Sequence, residues 1–153
     1  MDLILWRHAE AFEAGDDGDD LARALTAKGE RQAQRVGAWL GRQLPAGAKV
    51  LVSPAVRAQQ TAAVLDRKLK TVDALAPGGT VDALLHAARW PDARDAVLVV
   101  GHQPTLGMVA AYLLSGQAQV WSMRKGGVWW LRGRERGGDL QVVLHAVVGP
   151  EIL

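Results

Sequence analysis

The 153 residues carry 18 Lys and Arg against 16 Asp and Glu, a net charge of +2, with no cysteine and 49% hydrophobic residues. These are the proportions of a globular domain long enough to bury a core, and they exclude disulfides, cysteine-ligated zinc and a thiolate nucleophile. The cations are spread along the chain, which argues against a nucleic-acid surface, and no apolar run approaches the ~18 residues of a membrane span.

No basic and apolar leader precedes the first strand, so one cytoplasmic domain over residues 1–153 is the expectation. Leu3 to Trp6 form a short apolar run directly before polar residues and predict a central strand. An acidic loop, "EAGDDGDD", follows. Thr26 can cap a helix in which Ala33, Val36 and Leu40 recur at helical spacing to about Arg42, and "LPAG" stops it.

"KVLVSP" predicts a second strand, with Pro54 in the first turn of a helix that runs to about Leu69. "TVDAL" predicts a third strand ended by "APGG", and a short helix follows from about Val81 to Arg89, broken by Pro91. "AVLVV" is the most strand-like stretch, and "GHQPTLGMVAAYLL" turns out of it into a helix with Pro104 near its start. "GGVWWLRGR" and "DLQVVLHAVV" predict a closing hairpin. Alternation of strand and helix implies an α/β fold in three layers, α/β/α, with a mostly parallel sheet and a late antiparallel element.

Parallel strands end at one edge of such a sheet, and ligands bind in the crevice beyond those ends. The first strand ends in Arg7 and His8, the second runs through Ser53 and Pro54 to Arg57, and the "AVLVV" strand ends in Gly101 and His102. Two arginines and two histidines should therefore meet. The arginines offer planar forks of donors, and the first helical turn carrying Arg57 adds unpaired N–H groups, so the site suits an anion, above all a phosphoryl group. Of two imidazoles beside it, a neutral one can attack phosphorus and the other, protonated, can offset charge on the equatorial oxygens.

"LILWRHAE", "RALTAKGERQAQ", "SPAVRAQQT" and "VVGHQP" resemble, in order, the motifs of the histidine phosphatase superfamily, the phosphoglycerate mutase-like proteins. The small size and "LVSPAVRAQQT" are most similar to its SixA-type phosphohistidine phosphatase branch. The resemblance implies that His8 is the nucleophile that becomes phosphorylated, that Arg7, Arg57 and His102 form the phosphate pocket with it, and that Arg23 supplies a further cationic contact. It implies no metal and no organic cofactor.

Two departures stand out. Ala9 replaces the glycine that usually follows Arg-His, and the segment where larger members carry a proton-donating acid reads "TVDALAPGGTVDALL", with Asp73 and Asp82 as unselected candidates. An alkoxide leaving group gains ~10²–10⁴-fold from a positioned acid, whereas an imidazole needs one far less, so a phosphohistidine in a partner protein is the expected substrate. Two alternatives stay open: a phosphatase for small phosphomonoesters, and a module that binds phosphate or phosphohistidine without turnover. No membrane partner is implied, and the oligomeric state is left open.

The remaining features read as structure. His86 is expected as an ordinary helix residue and His145 as a hydrogen-bonded sheet residue. The acidic loop around Asp16 to Asp20 lacks the ligand spacing of a calcium loop and is expected to be solvated or to shape the pocket mouth. Alternation sends Trp129 and Trp130 to opposite faces of the hairpin, one in the core and one partly exposed.

Overall fold

The computed structural model describes residues 1–16 and 18–153; Asp17, within the acidic loop, lies outside the described residues. In chain order the elements are β1 (Asp2–Arg7), α1 (Ala27–Gln43), β2 (Lys49–Val52), α2 (Val56–Ala63), β3 (Leu69–Thr71), α3 (Val81–Ala87), β4 (Val97–Gly101), α4 (Thr105–Ser115), β5 (Val128–Arg136) and β6 (Asp139–Val148). They build one six-stranded sheet of order β3-β2-β4-β1-β5-β6. Pairs among β1 to β4 are parallel, while β5 runs antiparallel to β1 and β6 antiparallel to β5.

Period-two alternation along the central strands creates two cores. Ile4 and Trp6 of β1, with Val50 and Val52 of β2, pack against Val36 and Leu40 of α1 and Ala58 and Ala62 of α2. Leu3 and Leu5 point the other way, meeting Leu84 of α3 and Leu106, Val109 and Ala110 of α4. Helices thus cover both faces, as the three-layer reading requires. The central strand β4 is buried along its whole length, which explains why "AVLVV" is a continuous apolar run.

Thr26 caps α1 as expected, its side chain accepting from Gly29 N at 3.0 Å. The stretch after Pro54 differs from expectation. Pro54 precedes the helix, Ala55 is its N-cap, and α2 ends at Ala63 instead of reaching Leu69. The chain reverses at Asp66, which adopts a left-handed φ of 51°, and Leu69 already lies in β3. No glycine or proline marks that exit; Val64 packs against Gly37 of α1, and tertiary contact ends the helix. The strand expected at "TVDAL" accordingly shifts to Leu69–Thr71, and Asp73–Leu75 form a short 3-10 turn that buries Leu75.

The hairpin forms as expected. Trp130 is buried against the α1 side of the sheet, and Trp129 is partly exposed on the other, beside Trp121. His145 on β6 is exposed and stands edge-on to Trp130; His86 is exposed on α3. No helix among the described residues is long and apolar enough to cross a membrane.

Candidate active site

The main chain at the end of β1 is fixed before any side chain matters. Arg7 pairs with Gly101 in the parallel ladder, His8 N donates to Gly101 O at 3.0 Å, and Arg7 N donates to Gly127 O at 3.0 Å. Ala9 N donates to the hydroxyl of Thr61 at 3.1 Å, and that hydroxyl donates to Arg57 O at 2.7 Å. Buried Thr61 therefore ties the loop after β1 to the first turns of α2. Ala9 needs no glycine-like conformation, since it is absent from the residues with positive φ.

Arg7, His8, Arg23, Arg57 and His102 line one cavity of about 260 Å³, so the side chains singled out from the sequence do converge. The two imidazole centroids lie 5.1 Å apart and tilted by 54°. His8 Nδ1 is 2.8 Å from the carbonyl oxygen of Ala9, which can only accept, so Nδ1 carries the proton and Nε2 keeps its lone pair. Arg57 Nε lies 3.4 Å from that Nε2. Burial, reinforced by the charges of Arg57, Arg7 and Arg23, pushes the His8 pKa down to about 4 even though the Ala9 hydrogen bond opposes it. At neutral pH this imidazole is uncharged.

His102 is 4% exposed, and its Nε2 lies 2.7 Å from Ser53 Oγ, which accepts from Ala55 N at 3.2 Å. When the hydroxyl donates onward to Nε2, the ring proton sits on Nδ1, the tautomer that offers a donor to an anion. Burial, the neighbouring His8 and Arg57 push its pKa down to about 3. Burial thus favours the neutral form of the second imidazole in the free protein. Nδ1 of His102 and Nε of Arg7 are the buried side-chain nitrogens without a hydrogen-bond partner among the described residues. Arg7 is otherwise anchored by Nη1 on Met123 O at 2.7 Å.

The acidic loop contributes directly. Arg57 donates through Nη1 to Asp20 O at 2.7 Å and through Nη2 to the Asp20 carboxylate at 3.1 Å, while Arg23 Nε donates to the same carboxylate at 3.0 Å and Nη1 to Phe12 O at 2.8 Å. Although partial burial works against it, hydrogen bonds from both arginines hold the Asp20 carboxyl below its ordinary range. Lys125 and Glu13 also line the cavity, and neither was selected from the sequence. Lys125 precedes β5, and an antiparallel neighbour of β1 begins at the edge where the parallel strands end; that was the available signal. Asp73 and Asp82 do not line the cavity.

Residues 3–76 match the model of the histidine phosphatase superfamily (branch 1). The phosphohistidine phosphatase SixA of Escherichia coli is 32% identical over 76% of this chain and 76% of its own length. An uncharacterized protein of Picosynechococcus is 36% identical over 86% of this chain and 85% of its own. A solved structure from Nakamurella multipartitia, assigned there to SixA, superimposes with a TM-score of 0.80 at 31% identity, covering 97% of this chain and 95% of the other.

The chain belongs to the histidine phosphatase superfamily. Within it the chain stands in the SixA-type branch and is a phosphatase.

Proposed function

We propose that the protein hydrolyses the phosphoramidate bond of a phosphohistidine in a partner protein, through a covalent phosphohistidine on His8. The observation that carries this reading is the neutral His8 ring, locked by Ala9 so that its Nε2 lone pair opens toward Arg57. A cytoplasmic setting is part of the proposal, as is the assignment of Arg7, Arg57 and His102 to the phosphate.

Nε2 of His8 attacks phosphorus as the bond from phosphorus to the substrate imidazole breaks. That imidazole, protonated on its other nitrogen, departs as a neutral ring and takes no proton from the enzyme. Arg7 Nε and His102 Nδ1 are donors for the equatorial oxygens, and Arg57 Nε bridges nucleophile and phosphoryl group. Arg23 adds positive charge at the rim. Water then attacks phosphorus, the pair of the P–Nε2 bond returns to His8, and inorganic phosphate leaves with the water's excess proton released to solvent.

Support for this leaving group comes from the absence of Asp73 and Asp82 from the cavity and from the named E. coli relative. Glu13 favours the second reading, a small phosphomonoesterase, because a carboxylic acid at the cavity could protonate an alkoxide. Phosphate release from a phosphohistidine protein and from a sugar phosphate, each with wild type, His8→Ala and Glu13→Gln, separates the two. We expect preference for phosphohistidine, loss of turnover and of an acid-labile, alkali-stable phosphoenzyme in His8→Ala, and little effect of Glu13→Gln. Retained turnover in His8→Ala overturns the mechanism; a sugar-phosphate preference that depends on Glu13 overturns the substrate.

A further inference from the structure

The sheet has a second cavity at its opposite edge, where β2, β3 and β4 begin. It encloses about 650 Å³, against about 260 Å³ for the cavity holding His8. Lys49, Arg67, Lys68, Lys70, Arg89 and Arg94 line it, and the sole carboxylate among its lining residues is Asp95. Six of the chain's 18 Lys and Arg thus meet one of its 16 Asp and Glu.

Arg67 has a structural use, donating to Pro45 O at 2.8 Å and Leu44 O at 3.4 Å beyond the end of α1. The other five cations take part in no ion pair among the described residues. They stand on two walls: Lys49, Lys68 and Lys70 come from β2 and the entry to β3, whereas Arg89 and Arg94 come from the connection between α3 and β4. Arg89 adopts a left-handed φ of 56°, a conformation a non-glycine residue seldom takes, so the fold holds that cation at the cavity against its own backbone preference. The floor is apolar, formed by buried Val50, Leu51 and Val97.

These five side chains are exposed around one cavity with a single carboxylate among them, a positive field that attracts an anion of matching charge. The space has more than twice the volume of the catalytic cavity, room for more than a single phosphate. We propose that this cavity is a binding site for a chain of linked phosphates, carried by a nucleoside triphosphate or by inorganic polyphosphate. Its volume lies within the ~300–1,000 Å³ of small-molecule sites.

The test is calorimetric titration with ATP and, separately, with tripolyphosphate at about 0.15 M salt, where weak surface attraction is screened. The proteins are wild type, the triple variant Lys68→Ala, Lys70→Ala, Arg94→Ala, and the double variant His8→Ala, Arg57→Ala. The triple variant is expected to bind at least about tenfold more weakly, with unchanged circular dichroism and unchanged phosphate release at the catalytic cavity, while the double variant retains binding. Tighter binding of ATP than of tripolyphosphate identifies a nucleotide ligand; equal binding identifies the phosphate chain alone. The proposal is overturned if neither anion binds wild type at about 1 mM. It is equally overturned if affinity is lost in the double variant instead.

Discussion

Asp20 holds Arg57 by two contacts at once, its carbonyl oxygen on Nη1 at 2.7 Å and its carboxylate on Nη2 at 3.1 Å, which leaves Nε of Arg57 beside His8 Nε2 at 3.4 Å. The fork that would grip an incoming phosphate is partly committed to a residue of the acidic loop. The same carboxylate also takes Arg23.

That arrangement predicts the effect of charge without shape. Asp20→Asn keeps an oxygen for Arg57 and removes a negative charge from the rim of an anion site. Because the side chain is half exposed, the gain is small: competitive inhibition by inorganic phosphate should tighten about threefold. An unchanged or weaker inhibition constant would show that Asp20 does not compete for the arginines.

The buried imidazoles set the response to acid. With His8 at about 4 and His102 at about 3 against an ordinary 6.5, the unfolded chain binds more protons than the folded one through this interval. Stability from these groups is complete above pH 6.5 and is lost as the pH falls toward 3, so Tm should decline across that window, and less steeply in His8→Asn. The acid limb of kcat/KM in the free enzyme should fall near pH 4; a limb near 6.5 would mean that His8 titrates as an exposed histidine.

Ser53 is a positioning residue for His102. Its hydroxyl accepts from Ala55 N and pairs with Nε2, and a hydrogen bond donated there keeps the ring proton on Nδ1. Ser53→Ala removes that instruction, and the ring can then hold its proton on the wrong nitrogen. We expect kcat to fall about tenfold, with a modest drop in Tm because Ala55 N and His102 Nε2 lose a buried partner. A fall in Tm with kcat intact would reduce Ser53 to a packing role.

Gly29 is a test of how the site is supported from beneath. A Cβ on Gly29 would run into the Glu10 carbonyl, and Glu10 belongs to the loop that carries His8 and Ala9. Thr26 already ties the two segments, accepting from Gly29 N and donating to the Glu10 carboxylate at 2.8 Å. Gly29→Ala should cost about 1–3 kcal/mol of stability in urea denaturation and lower activity, despite alanine's better helix propensity. Stabilisation by this change would contradict the close approach of α1 to the loop.

What the sequence made legible depended on whether the signal was local. "AVLVV" and "LILW" announce central strands because both their faces are buried, and Thr26 announces α1 because a cap is a local device. The end of α2 was illegible, since residues 64–68 carry no glycine or proline and the local packing there is of Val64 against Gly37. Arg7, His8, Arg57 and His102 could be placed together because strand ends in a parallel sheet share an edge. Asp20 and Lys125 could not, as one depends on how a loop folds back and the other on which strand pairs with β1. The cations of the second cavity come from three separated segments, and in the sequence they look merely dispersed.

The adjacency of β1 and β4 also bears on how such a chain can change over generations. His8 and His102 follow directly upon Arg7 and Gly101, which face each other in the parallel ladder. Their 5.1 Å separation is therefore measured out by main-chain pairing and not by the identity of core side chains. Leucine can give way to valine behind them, and whole loops can be rewritten at the sheet's margins, without moving one imidazole relative to the other. A lineage built on this spacing is free to exchange partners while inheriting its chemistry intact.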